Sequence, residues 1–424
     1  MSDQLPVRGQ AADEALLATK ERPPADEPRS SAFLRDLIGG SAAISVFAVL
    51  LALVVGGVLI AITNEDVQEA AGYFFSRPAD TFRAIWDAVS GAYVALFQGS
   101  VYNFRRPGFA DGIRPLTETL NFATPLIAAG LGVALAFRVG LFNIGGRGQM
   151  LIAAACAGWV GFSLELPYGI HLIVAVIAGI LGGAIWGGVV GVLKARTGAH
   201  EVIVTIMLNF VALYLVSYFL RTPVLQNPSS NNPQSPPISD TAVFPDLLGA
   251  GYNLHAGFIF VIAATIFVWY LLERSSTGFQ FRAVGANPNA ARVAGINVKR
   301  VYVYAMLFSG GLVGLAGTAQ VLGTITTGFG SGIDAGIGFD AITVALLGRS
   351  RPWGVFFAGI LFGAFKAGGF SMQAAEGIPI DIVLVVQSLI VLFIAAPPLV
   401  RSIFRLPTPG ATRTPRASKK AATS

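Results

Sequence analysis

The chain has 424 residues, of which 54% are hydrophobic and 12% charged, about half the charged fraction of an ordinary soluble domain. Its net charge of +6 does not point to nucleic acid, because the basic residues sit beside apolar stretches, where membrane topology places them. One cysteine, Cys156, and three scattered histidines offer neither a disulfide framework nor the spacing of a metal site.

Residues 1–32 mix Pro, Ala, Glu and Arg with little apolar content and read as a disordered tail. They are not expected to be a secretory signal, since the first apolar run begins near Ser41 and has full spanning length. Residues 33–400 form the membrane domain. Apolar length and flanking charge predict ten spans, at 41–62, 116–137, 148–164, 170–193, 202–220, 256–272, 301–322, 339–348, 354–372 and 380–397. The fold class is therefore all-α and polytopic; the alternating pattern of a membrane β-barrel is absent.

Segment 63–115 is long for a connection, and Phe82, Ile85, Trp86, Val89, Tyr93 and Leu96 recur at helical spacing within 78–98. This predicts an amphipathic helix lying at the outer surface or capping the bundle. The span at 170–193 carries Gly179, Gly183, Gly187 and Gly191 on one face, a signal for close approach of a second helix, in this chain or another. The outer loop at 221–255 is turn-rich from Asn227 onward and is not expected to be regular; its stretch 227–237 is expected to be solvated, with contact to an extracellular partner as the alternative.

The loop at 273–300 is a long charged connection between spans and holds five basic residues. It serves topology, docks a soluble partner, or both. Within 284–298, Asn287 is a helix cap, Pro288 suits the first helical position and Gly295 a stop. Arg282, Asn289, Ala290, Ala291 and Arg292 complete the candidate docking element, whose small alanines leave room to enter a cleft. A further six basic residues lie in the tail at 401–424. Together with Arg138, Arg147, Lys194, Arg196, Arg349 and Arg351 they predict that both termini are cytoplasmic.

Two glycine-rich stretches, 140–149 and 323–338, interrupt the apolar pattern. Irregular backbone at membrane depth survives only where protein or a water-filled cavity satisfies it, and paired breaks in two halves of a transporter mark the substrate path. The first break follows an out-to-in span and the second an in-to-out span, the relation of inverted repeats. Asp340 lies nine residues before Arg349, or about 13 Å along a helix. It is expected near mid-membrane, capping a half-helix over 341–348 and secondarily contacting substrate. Asn121, Asn143, Gln149, Asn209, Gln320 and Phe339 complete the candidate path; Thr124, Gln387 and Lys366 are further polar groups on apolar spans. For each polar residue, hydrogen bonding between helices is the alternative use. Paired titratable groups of the kind an ion-coupled carrier needs are not evident, and no P-loop, nucleophile elbow, zinc-protease or dinucleotide motif occurs. The chain is expected to be non-catalytic and to bind no metal or cofactor.

Five stretches, LFNIGGRGQMLIAA (141–154), LKARTGAHEVIVTIMLN (193–209), STGFQFRAVGANPNAARVAGINVKR (276–300), FSGGLVGLAGTAQVLG (308–323) and GFDAITVALLGRSRPWG (338–354), resemble the permease subunits of ABC importers for nucleosides and simple sugars. The likeness is greatest to the longer permease of systems fed by a basic-membrane-protein-type lipoprotein, and it runs over 116–396. It implies a second permease in a heterodimer, a separate ABC ATPase that binds ATP and Mg, an extracytoplasmic binding lipoprotein and a small polar solute. It also implies a bacterial plasma-membrane location and a coupling-helix role for 284–298. Where that family usually carries an acidic residue in its first glycine-rich motif, this chain has Arg147. A nucleoside-like solute is the leading expectation; a pentose or hexose, and in another class an ion-coupled secondary transporter, are the alternatives.

Overall fold

A computed structural model describes residues 41–249, 251–396 and 402–403, and among them the regular structure is helical, with no named strand. The expected tails, 1–32 and all of 401–424 except residues 402 and 403, lie outside the described residues. The helices are α1 (Ser41–Thr63), α2 (Glu65–Gly72), α3 (Pro78–Ser100), α4 (Phe109–Gly112), α5 (Arg114–Arg138), α6 (Gly146–Ser163), α7 (Ile170–Thr197) and α8 (Glu201–Phe219). They continue with α9 (Gly257–Arg274), α10 (Ser276–Ala286), α11 (Pro288–Val293), α12 (Val298–Ala319), α13 (Ile337–Leu347), α14 (Pro352–Glu376) and α15 (Asp381–Ala395). Each expected span coincides with one of them. Among the described residues, seven helices are long and apolar enough to cross a membrane: α1, α5, α7, α8, α9, α12 and α14. The 18-residue α6 starts with Arg147 and Gln149, and α13 and α15 are short, with 11 and 15 residues.

Ala48–Ala396 forms one unit, organised around α5 and α12. These two helices are almost wholly buried, whereas α1, α8 and α9 present most of their side chains outward. Burial explains why α5 tolerates Thr117, Thr119, Asn121, Thr124 and Pro125 in a spanning helix: protein, not lipid, surrounds them. Ser309 lies against Gly132 and Thr324 against Asn121, so α5 and α12 run antiparallel.

The packing is exchanged between two halves. After α5 the chain breaks, and α6 and α7 pack on α12; after α12 it breaks again, and α13 and α14 pack on α5. With the leading helices antiparallel, this is the arrangement of inverted repeats. Small residues permit it. The α7 glycine face meets α12 of the same chain: a Cβ at Gly183 would lie 2.6 Å from Gly314 Cα, and one at Gly187 would lie 2.6 Å from the Met306 carbonyl. Gly179 faces Thr318, and Gly191 faces Val303. On the other side, Gly363 of α14 lies against Thr119 and Ala123 of α5.

Two peripheral segments differ from expectation. The helix predicted over 78–98 exists as α3, but its buried face is Thr81, Ala92, Ala95, Gly99 and Ser100, while Phe82 and Trp86 are exposed. Gly99 sits on Ser371 and Gly368, so α3 docks on α14 through small residues, and its large aromatics face away. The segment 233–244, whose first residues fall in the stretch 227–237 expected to be solvated, is pinned to the second break. The Ser235 N–H donates to the Phe329 carbonyl at 2.9 Å, that of Ile238 to Thr326 at 2.8 Å and that of Phe244 to Leu322 at 2.9 Å. The loop supplies backbone partners that the irregular chain after α12 lacks in itself.

Candidate functional site at the meeting of two broken helices

The first break bends back into the bundle instead of leaving it. Gly140 adopts φ 78°, and three residues on Asn143 is buried against Ser309 and thus at the level of Gly132, six residues (about 9 Å) before α5 ends. Asn143 Nδ2 donates to Ser309 Oγ at 2.8 Å and to Gln149 Oε1 at 3.2 Å; its Oδ1 accepts from the Gly145 N–H at 2.9 Å. Asn209 of α8 donates to the Ile144 carbonyl at 2.9 Å and accepts the Gly148 N–H at 2.8 Å. Asn143, Gln149 and Asn209, all predicted path residues, are therefore buried clamps on the first break, with their hydrogen bonds directed at protein.

The second break ends where the first does. α6 and α13 begin back to back: a Cβ at Gly146 would lie 2.7 Å from the Gly338 carbonyl, and one at Gly338 would collide with the Arg147 amide. Each half-helix presents unsatisfied N–H groups and the positive end of its dipole at this junction.

Asp340 was expected to cap α13 over 341–348, and the structure corrects this. The helix starts at Ile337, four residues after Ile333, with Gly336 as N-cap at φ 79°, a conformation that suits glycine. Asp340 lies in the first turn, with Oδ2 3.9 Å from Lys366 Nζ on α14. The missing partner is Asp334, which sequence reasoning passed over. Its carboxylate is 5% exposed, accepts the Gly336 N–H at 3.4 Å, and pairs with Arg147 Nε at 3.3 Å. The available signal was Arg147 itself: a charge at the first break calls for an opposite charge nearby. Lys366 Nζ also donates to the Ala335 carbonyl at 3.3 Å. Two ion pairs thus stand where the sequence suggested no paired titratable groups, because their partners lie far apart in the chain.

Breaking the more buried pair has a calculable consequence. Asp334→Asn leaves Arg147 opposite a neutral amide and is expected to destabilise the chain by about 3 kcal/mol, the low end for a buried pair because Arg147 is 30% exposed. Thermal unfolding in detergent checks this. The double variant Arg147→Gln/Asp334→Asn should recover much of the loss; no recovery would mean that the pair is not the source of the stability.

The remaining path candidates divide. Asn121 is buried beside Thr324, whose Oγ1 donates to Asn121 Oδ1 at 3.4 Å; Gln320 is buried at the start of a π-helical turn, Gln320–Thr324, that ends α12. Phe339 is different. It is 48% exposed and directly precedes Asp340 in the first turn of α13. Lys366 and Phe370 are four apart on α14 and share its face, and Phe370 packs on Phe122 of α5 with ring centroids 5.7 Å apart. Phe339 and Phe370 are each 48% exposed, and the Lys366 and Asp340 side chains keep 22% and 31% of their surface.

At the far end of α9, α10 and α11 form the predicted docking element. Asn287 caps α11, its Oδ1 accepting from the Asn289 and Ala290 amides at 2.9 and 3.1 Å, and Gly295 ends it at φ 85°. Its surface is not the expected one. Ala291 is 4% exposed and packs into the core of the chain, while Val293 is 91% exposed. Asn287, Asn289, Ala290, Arg292 and Gly295 are exposed, and Arg282 is half-buried on α10.

The family model for the permease component of the branched-chain amino acid transport system matches residues 116–395. The guanosine ABC transporter permease protein NupP of Bacillus subtilis is 38% identical over 315 residues, covering 74% of this chain and 89% of that protein. The nucleoside ABC transporter permease protein NupB of Lactococcus lactis is 34% identical over 314 residues, 72% of this chain and 85% of that one. The glucose ABC transporter permease protein TsgB13 of Haloferax volcanii is 34% identical over 358 residues, 82% of this chain and 86% of that one. No solved structure matches the chain.

Proposed function

The chain belongs to the family of permease components of branched-chain amino acid transport systems, and from that premise we propose that it is the membrane subunit through which an ATP-driven importer passes a nucleoside. The observation that carries the solute is the 38% identity with a guanosine permease over 74% of the chain. The glucose permease at 34% identity keeps a sugar as the second reading.

The chemistry at the junction favours the first. A nucleoside has a flat apolar base with polar edges. Phe122, Phe339 and Phe370 offer ring faces for the base, and Asp340 and Lys366 an acceptor and a donor for the edges or the ribose. Asn143, Gln149 and Asn209 hold the broken backbone that positions this surface.

The machine is completed by other chains: a second permease subunit, an ABC ATPase that binds and hydrolyses ATP with Mg, and an extracytoplasmic binding lipoprotein. This chain performs no catalysis of its own. It makes ten crossings in a bacterial plasma membrane with both termini in the cytoplasm, as the distribution of lysine and arginine supports.

Uptake into proteoliposomes holding the full complex, measured with guanosine, adenosine, cytidine, ribose and glucose, tests the reading. Nucleosides are expected to be transported and to compete with one another; uptake of glucose or ribose alone would replace the nucleoside with a sugar. Within the active complex, Lys366→Met is expected to lower nucleoside uptake about tenfold, as loss of one charged hydrogen bond at a transport site does. Unchanged uptake would remove the Asp340–Lys366 face from the path.

A further inference from the structure

Three helix ends meet beside the α10–α11 element and enclose a cavity of about 920 Å³. Arg138 is the last residue of α5, Arg274 the last of α9, and Arg351 directly precedes α14; Arg282 reaches in from α10. Glu273, Trp269 and Trp353 also line it. Four arginines thus face one carboxylate, and among the described residues none of the five makes an ion pair within 4.0 Å.

Arginines are common beside spanning helices and at helix C-termini, where topology and the dipole favour them. Such arginines point to water. These are gathered by specific contacts. Phe281 and Val284 bury α10 against the core, and this holds Arg282 with a buried Nη1 that has no protein partner. Arg349 and Ser350 take left-handed φ values of 53° and 51°, a strained turn for non-glycine residues. Arg138 Nε donates to the Ser350 carbonyl at 2.8 Å and fixes that turn, which sets Arg351 and Trp353 at the cavity wall. Arg274 lies 5.8 Å from the ring centre of Trp269.

We propose that this cavity binds the phosphate headgroup of an anionic phospholipid. Basic pockets between spanning helices at the membrane surface suit such headgroups, and tryptophan is the residue of that interface. The apolar stripe that leaves the cavity decides between a lipid and a protein carboxylate. Ile266, three residues before Trp269, is 46% exposed, and Phe357, four residues after Trp353, is 66% exposed. Both lie on the faces that line the cavity and continue along the spans. A carboxylate on a soluble partner has no use for them; acyl chains attached to the headgroup do. The proposal rests on α5, α9 and α14 spanning a membrane, and its test involves no transport, so it fails independently of the solute assignment.

The test is native mass spectrometry of the full chain in detergent, titrated with phosphatidylglycerol or phosphatidylcholine. Phosphatidylglycerol is expected to bind at least tenfold more tightly, and Arg282→Gln and Arg351→Gln each to weaken it about fivefold while leaving phosphatidylcholine unchanged. Arg351 is exposed, so its variant provides a folded sample if Arg282→Gln does not. Equal binding of the two lipids, or of phosphatidylglycerol by wild type and Arg351→Gln, overturns the proposal. So does displacement of phosphatidylglycerol by 10 mM inorganic phosphate, which would make this a free-anion site. Maleimide labelling of Arg282→Cys supplies the last arm: protection by phosphatidylglycerol supports the lipid, whereas protection only by the co-assembled ATPase assigns the cavity to a protein contact.

Discussion

Val293→Asp is expected to cut ATP-driven uptake at least tenfold while leaving the melting temperature of the chain unchanged. Val293 is the last residue of α11 and is 91% exposed on a short helix whose other side is anchored through Ala291. An apolar side chain held out in this way is suited to a cleft in the ATPase subunit. Burying a valine there contributes about 1.5–3 kcal/mol, which corresponds to a loss of roughly tenfold or more when a carboxylate replaces it. Surface ion pairs from Arg292 would contribute about 0–1 kcal/mol, so the apolar contact dominates. The appropriate measurement is uptake and ATPase activity of the reconstituted complex beside the thermal unfolding of the isolated chain. Wild-type uptake would leave α11 as a topology element only. Ala291→Trp is expected instead to lower the yield of folded protein, since Ala291 is packed within its own chain.

Gly183→Leu is expected to abolish the folded chain altogether. Even a single carbon at this position would lie 2.6 Å from Gly314 Cα and collide with the Gly310 carbonyl. These neighbours are backbone atoms of a buried helix, which cannot rotate aside as a side chain can. Accommodating the leucine means separating α7 from α12 along their length, at a cost above the about 1–3 kcal/mol of ordinary overpacking. Gly72→Ala is the control: no atom lies within 4 Å of its added Cβ, and stability should change by no more than about 0.5 kcal/mol. Size-exclusion profiles and thermal unfolding distinguish the two. A monodisperse, fully stable Gly183→Leu chain would mean that the two helices are not held at this distance.

The residues that sequence reading singled out are largely where the architecture turns, but several have different partners from those expected. Asn143, Gln149 and Asn209 were legible as polar groups in or beside apolar spans; that Asn143 bonds to Gln149 and Ser309 while Asn209 holds the backbone of the first break was not, because the bonds reach from the break to α6, α8 and α12. Asp340 was legible as an intramembrane acid, yet spacing to Arg349 placed the helix start at the acid and not at Gly336. A helix can begin on glycine without a side-chain cap when an upstream group, here the Asp334 carboxylate and carbonyl, receives its first amides. Ala291 and Val293 illustrate the same limit: a six-residue helix with one exposed and one buried side has no periodic pattern long enough to tell which is which.

By itself the sequence determined the helical, membrane-spanning class, the ten apolar segments, the two breaks, the glycine face of α7 and the cap of α11. All of these depend on interactions within a few residues or on transfer from water to lipid, which composition records directly. Only the tertiary structure decided that α7 packs on α12 and α14 on α5, that Arg147 meets Asp334, and that four arginines share one cavity. Those pairings join residues far apart in the chain, Arg138 and Arg351 by 213 positions and Phe122 and Phe370 by 248. The physical reason is that in a bundle whose helices are all apolar, burial alone does not choose partners. Close backbone approach at glycines and the pairing of the few charges do, and both are properties of two surfaces brought together.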